Sequence, residues 1–259
     1  EWAIAALERG ENVAATARDT GSLDDLVERF GDRILPLKLD VTDRDAVFAA
    51  VSAAHERFGR LDVVVNNAGY GQFGLIEEIS EAEARAQFET NVFGALWVTQ
   101  AALPILREQG SGHILQVSSI GGISAFPNIG IYNASKWALE AFSQSLAQEV
   151  AGFGIKVTLI EPGGYSTDWG GSSAKHATPL PAYEEFHAQA AEARRTRIGS
   201  PGDPVATRDA VLKIVEPTLR VAAAFLLLVM IPLSVAAAQD KCRRAGEAAR
   251  GATLYVTLE

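Results

Sequence analysis

Sulfur is nearly absent from this 259-residue sequence, which has one cysteine, Cys242, and one methionine. A single thiol cannot close an intramolecular disulfide, so a reducing compartment and a cytoplasmic location are expected. Histidine is scarce as well. His55, His113, His176 and His187 show no ligand spacing with one another or with Cys242, and no metal site is expected. Cations are outnumbered, 23 Lys and Arg against 32 Asp and Glu, for a net charge of −9. Phosphate backbones are bound through Lys and Arg, so nucleic acid is excluded as a partner. Long uncharged apolar stretches are missing but for one. Val221–Ala238 carries no charge and is flanked by Arg220 and by Asp240, Lys241, Arg243 and Arg244. That is the lower limit for a membrane-spanning helix, and Pro232 weakens the reading.

What is present is the composition of a globular chain, with 48% hydrophobic and 21% charged residues. Nearly continuous apolar runs at Asn12–Ala17, Ile34–Leu39, Leu61–Asn66, His113–Ser118 and Lys156–Glu161 read as parallel strands covered on both faces. Helical patterns alternate with them at 43–58, 81–107, 132–151 and 204–215, the last with Asp203 as cap and Pro204 in the first position. Such alternation predicts an α/β fold, a Rossmann-like doubly wound parallel sheet in one domain over 1–215, followed by an atypical segment over 216–259. Tyr165–Gly202 is rich in Pro and Gly and reads as a mostly irregular cover for a ligand. Glu1–Gly10 reads as the inside of a helix, with no N-cap before it.

Ligands of doubly wound sheets bind beyond the carboxyl ends of the strands. The residues that follow the five strands are Arg18-Asp19, Asp40-Val41-Thr42, Asn67-Ala68-Gly69, Ser119 and Pro162-Gly163-Gly164. Small and polar residues therefore gather at one edge. Tyr132 and Lys136 lie four apart at a helix start, so their side chains share a face. A nearby ammonium lowers a phenol's pKa and makes Tyr132 a usable general acid or base. A serine hydroxyl aimed at the same oxygen would hold a carbonyl and stabilise charge on it.

Tyr132-Asn133-Ala134-Ser135-Lys136, Ser119 thirteen residues before Tyr132, Asn66-Asn67-Ala68-Gly69, Asn91 and Pro162-Gly163-Gly164-Tyr165-Ser166-Thr167 agree in order and spacing. Together they resemble the short-chain dehydrogenase/reductase family, over roughly Glu1 to Val221. The resemblance implies an NAD(P)-dependent oxidoreductase acting on a small-molecule alcohol or carbonyl, and a homo-oligomer. It implies that Tyr132 exchanges a proton with the substrate oxygen and that Ser119 positions that oxygen. Lys136 would lower the Tyr132 pKa and bond the nicotinamide ribose, and Asn91 would anchor a water in a proton relay. Cofactor contacts would come from Asp40 and Val41 at the adenine, from Asn66, Ala68 and Gly69 along the adenosine, and from Pro162, Gly163 and Thr167 at the nicotinamide. An acid after the first visible strand would bind a ribose 2′-hydroxyl, and an Arg a 2′-phosphate. Ala17 stands at the acid's usual position and Arg18 follows, so NADP(H) is favoured over NAD(H), with Asp19 the opposing feature.

Plainer readings stand beside these. Asn66-Asn67 would be a turn and Arg18 a solvated loop cation. Trp97 and Trp137 would be packing residues, His176 and His187 surface residues, and Cys242 inert. Trp169, in the irregular segment, would line the substrate pocket.

The family opens with a strand and a Gly-rich turn that deliver backbone N–H groups to the pyrophosphate. Neither is in this sequence, which predicts a sheet lacking its first strand, with a gap at its centre. From Ala222 onward the composition changes abruptly, as a shifted reading frame or chimeric join would produce. Two further readings follow: a truncated, non-catalytic relative acting as a binding protein, and an oxidoreductase attached to a membrane through 221–238.

Overall fold

The computed structural model describes residues 1–171, 173–195, 201–216, 224–228 and 254–256. In chain order its elements are α1 (Trp2–Glu8), β1 (Asn12–Ala17), α2 (Asp24–Phe30), β2 (Ile34–Lys38), α3 (Arg44–Phe58) and β3 (Val63–Asn66). There follow β4 (Gln72–Phe73), α4 (Glu81–Phe88), a π-helical turn (Glu89–Gly94), α5 (Ala95–Gln109), β5 (Gly112–Val117), α6 (Gly130–Val150) and β6 (Ile155–Ile160). The remainder are β7 (Lys175–His176), α7 (Glu184–Arg195), α8 (Thr207–Val215), β8 (Ala224–Leu228) and β9 (Leu254–Val256).

Seven strands form one sheet in the order β2-β1-β8-β3-β5-β6-β9, and every pairing is parallel. Strand side chains alternate between two apolar layers. Ala14, Val64, Ile114 and Val157 face α3, α5 and α6, while Val13, Val63, Leu115 and Ile160 face α1 and α8. This double coverage explains why the strands read as unbroken apolar runs. Helix ends follow local chemistry. Asp43 accepts from the Ala46 N–H at 3.0 Å to start α3, and Gly59, at φ 75°, ends it.

Three expectations need correction. The centre of the sheet holds no gap, because β8 lies between β1 and β3, with Phe225 opposite both Val13 and Val63. Two facing strand edges in a buried sheet would strand their N–H and C=O groups, and an apolar segment from late in the chain satisfies both. The same residues belong to the apolar run that could have been a membrane helix. Ala224–Leu228 is a sheet strand instead, and among the described residues no helix is long and apolar enough to cross a membrane. Finally, Tyr165–Gly202 holds more regular structure than its Pro and Gly suggested, since it contains β7 and the twelve-residue α7. Cys242 lies outside the described residues.

Candidate active site

Four chain segments meet at the carboxyl ends of β3, β5 and β6. After β5, Ser119 is extended and its Oγ accepts the Gly121 N–H at 3.0 Å, which fixes the turn Ile120–Gly122. Gly121 allows close packing. A Cβ there would stand 2.8 Å from Asn133 Oδ1 and 3.1 Å from the Tyr132 ring. Tyr132 lies in the first turn of α6, 2% exposed, and its hydroxyl is hydrogen-bonded with Ser119. One turn on, Lys136 is buried and its Nζ donates to the Val117 carbonyl at 2.7 Å, 5.9 Å from the centre of the Tyr132 ring.

Burial dominates the electrostatics. It pushes the Tyr132 phenol up to about 12, with the Ser119 bond pulling the other way. It also pushes Lys136 down to about 8, and the nearby Glu140 opposes that fall. The expected lowering of the Tyr132 pKa by Lys136 is therefore not what this arrangement gives. The ammonium is turned to a backbone carbonyl, and desolvation of the phenolate outweighs it.

Asn91 was expected within one continuous helix over 81–107. That helix is interrupted by the π-helical turn that carries Asn91, a local widening common at functional sites. Asn91 Oδ1 accepts the Tyr70 N–H at 3.2 Å, and Nδ2 donates to the Tyr70 carbonyl at 3.3 Å and to Ser135 Oγ at 3.0 Å. A Cβ on Gly69 would stand 3.0 Å from Asn91 Oδ1 and 3.5 Å from Lys136 Nζ, so these two side chains flank the bare backbone of Gly69. Asn91, Ser119, Tyr132 and Lys136 thus converge. Ser135, which sequence reasoning passed over, links them by donating to the Tyr132 carbonyl at 2.7 Å while it accepts from Asn91.

The other site residues line the same edge. Arg18 is exposed beyond β1, and the Asp19 carboxylate is turned to the Gly21 N–H at 3.0 Å. Asp40 is exposed and bonded by the Thr42 N–H and hydroxyl at 3.0 and 2.8 Å. The Val41 side chain is core, packed on Gly94. Asn66 is more than a surface turn. It is buried and donates to Thr99 Oγ1 at 3.1 Å, tying β3 to α5. Ala68 packs against the core, and Pro162 accepts the Ile120 N–H at 2.8 Å beside Gly163. Thr167 Oγ1 is buried without a partner.

A cover lies over Tyr132. β7 pairs with β4, and Trp169 packs between Phe73 (ring centres 5.3 Å apart) and Tyr132 (5.1 Å, edge-on). His176 is exposed and stacks on Phe73. His187 is not a simple surface residue. Its Nε2 lies 2.6 Å from Glu78 Oε1, and that carboxylate also accepts the Leu180 N–H at 3.0 Å and the Leu75 N–H at 2.8 Å. Burial pushes Glu78 up, but the His187 bond, these two backbone donors and the His187 charge outweigh it and hold the carboxyl at about 2. Trp97 packs on the core and stacks on Phe93, whereas Trp137 is 52% exposed rather than packed. Among the described residues no His, Cys, Asp and Glu cluster could hold a metal ion.

Comparison with known proteins sets this geometry in context. The sequence profile described as short chain dehydrogenase matches residues 1–178. The chain is 48% identical over 223 residues to Oxidoreductase BOA17 of Botryotinia fuckeliana (strain B05.10), covering 84% of this chain and 81% of that one. A short-chain dehydrogenase crystal structure from Streptomyces avermitilis superposes with a TM-score of 0.75 at 40% identity, over 87% of this chain and 82% of that one. An alcohol dehydrogenase from the archaeon Thermococcus sibiricus, solved in complex with 5-hydroxy-NADP, does so with a TM-score of 0.68 at 28% identity, over 87% and 88% of the two chains.

Proposed function

Because the chain belongs to the short-chain dehydrogenase/reductase family of NAD(P)-dependent oxidoreductases, we propose that it interconverts an alcohol and a carbonyl in a small or medium-sized apolar molecule, with Tyr132 moving the proton. The observation that carries this reading is the convergence of the Tyr132 and Ser119 hydroxyls, with Lys136 on the next turn of the same helix. A phenol held near 12 is protonated throughout the neutral range, the form that donates to a carbonyl oxygen as it gains negative charge. Ser119 holds that oxygen and stabilises the charge. Lys136, held by its bond to the Val117 carbonyl, supplies positive charge near the phenol, and Asn91, bonded to Ser135, stands with it beside Gly69. Trp169 and Phe73 form an apolar wall that excludes water from Tyr132 and suits an apolar substrate.

The residues at the edge fit a nicotinamide dinucleotide. Thr167 Oγ1 is a buried hydroxyl without a partner, and Gly69 offers bare backbone for close approach. When bound, the nicotinamide supplies or accepts the hydride. Asp40 and Val41, Asn66, Ala68 and Gly69, and Pro162, Gly163 and Thr167 would hold successive parts of it. NADP(H) is favoured over NAD(H) because Arg18 is exposed at the end of β1 while the Asp19 carboxylate is committed to the Gly21 backbone. The Thermococcus relative, solved with a 5-hydroxy-NADP, adds support.

The test is a fluorescence titration of the full chain with NADPH and NADH, followed by turnover of Tyr132→Phe. Saturable NADPH binding is expected, with Arg18→Ala weakening NADPH by about ten- to a hundredfold, the loss of a charge-assisted contact, and leaving NADH unchanged. Tyr132→Phe should lower turnover by about 10²–10⁴-fold with NADPH binding retained. No saturable binding of either nucleotide, or unchanged turnover in the variant, overturns the reading.

A further inference from the structure

Beneath the reacting side chains, two glutamates and one lysine are buried together. Glu140 follows Lys136 by one turn of α6, so the two share a face. Glu161 directly follows β6, and strand alternation puts it on the face of Ile155 and Val157, the layer to which α6 contributes. Glu140 is 5% exposed and Glu161 4%. Both carboxylate oxygens of Glu140, and Oε1 of Glu161, are buried with no donor in good hydrogen-bonding geometry, although Ser118 and Gln144 lie near enough to Glu140 to pull on its charge. Ser118 lies against Glu140. A Cβ on Gly122 would stand 2.5 Å from Ser118 Oγ and 3.2 Å from Glu140 Oε1. Lys136 has one hydrogen bond, to Val117.

Three ionised groups in this space would leave an uncompensated negative charge away from water, which is too costly to persist. One proton must stay. Glu140 is the carboxylate one turn from the ammonium and acts on its charge, and Glu161 in turn feels the charge of Glu140. We propose that Glu140 and Glu161 share one proton, that the charge of the pair rests on Glu140, and that Glu140 is thereby a positioning residue that keeps Lys136 an ammonium next to Tyr132. This rests on the reading of Lys136 given above, and it adds two residues to the reaction that its four central side chains do not include.

The groups that interact with Glu140 are Lys136 and Gln144 from its own helix, Ser118 from the end of β5 and Glu161 from the end of β6. Burial pushes Glu140 up to about 7, against the pull of Ser118, Lys136 and Gln144. Burial pushes Glu161 up to about 8, and the charge of Glu140 adds to it.

The experiment is a carbon-13 NMR titration of the full chain, with labelled glutamate carboxyls and lysine side chains, in the wild type, Glu140→Gln and Glu161→Gln. In the wild type two glutamates should titrate near neutrality, well apart from the rest. In Glu140→Gln the Lys136 midpoint should fall by about one to three pH units, the effect of losing a buried opposite charge. Glu161→Gln should leave Lys136 in place and move Glu140 down. A Lys136 midpoint unchanged in Glu140→Gln, or two glutamates titrating with the surface ones, overturns the proposal. If Glu140→Gln does not fold, Glu161→Gln decides alone, because an unmoved Glu140 means no shared proton. The lysine titration is independent of turnover. A shifted Lys136 together with an active Tyr132→Phe would leave the pair standing and sink the proposed function.

Discussion

At the anchor of the cover, Glu78 receives the Leu75 and Leu180 N–H groups and His187, and its carboxyl stays ionised down to about pH 2. At the floor of the site, Glu140 and Glu161 are buried with oxygens that lack a donor in good geometry, and their carboxyls hold protons up to about 7 and 8. The residue type is the same and none is more than 9% exposed, yet the titrations move in opposite directions. Depth and donors decide together. Glu78 sits near the surface, where three donors hold its charge. For Glu140 the cost of deep burial outweighs the pull of Ser118, Lys136 and Gln144, and Glu161 is pushed up by burial and by the charge of Glu140. The cover is thus pinned by charge while the floor is poised to exchange it.

This contrast has consequences of both signs for stability. The depressed Glu78 contributes stability above its unfolded value of 4.5 that is lost as pH falls through about 2. The raised Glu140 and Glu161 contribute stability present below 4.5 that is lost as pH rises through about 7 and 8. Acid therefore strains the anchor and alkali strains the floor.

The contrast can be broken most severely at the floor. Ser119→Ala removes the hydroxyl bonded to Tyr132, so turnover should drop by about 10²–10³-fold, measured as NADPH oxidation with a carbonyl substrate. Its alkaline limb should also move to higher pH, because the Ser119 bond lowers the Tyr132 pKa. A smaller effect should sharpen the comparison. Glu161→Gln removes the group that loses its proton last, so its urea midpoint should change less than the wild type's between pH 6 and 9. The gain at pH 9 should be about 1–2 kcal/mol. Equal slopes in the two proteins would mean that Glu161 is not held protonated. Smallest of all, His187→Ala should leave global unfolding nearly unchanged while limited proteolysis within α7 becomes several-fold faster. Unaltered cleavage would show that the backbone donors to Glu78 suffice to hold the cover.

How far the sequence spoke depended on whether a feature was local. The strands β1, β2, β3, β5 and β6 were legible because burial on both faces demands unbroken apolar runs, and Tyr132 and Lys136 because four residues make one helical face. The π-helical turn at Asn91 was not legible. A single widened turn leaves the apolar spacing before and after it looking like one helix. His187 and Glu78 lie 109 residues apart, and neither segment announces the other. Nothing in the sequence singled out Glu140 and Glu161, because their burial is set by the packing of α6 on β6. The run at Val221–Ala238 signalled burial without naming a partner, so a bilayer and a sheet slot looked alike.

The place of β8 sets where the sheet can come apart. Among the described residues, its pairings with β1 on one side and β3 on the other are the only strand pairings that join β2-β1 to β3-β5-β6-β9. A local opening of that one strand would therefore uncouple the edge that carries Arg18 from the edge that carries Tyr132, while each part kept its own pairings.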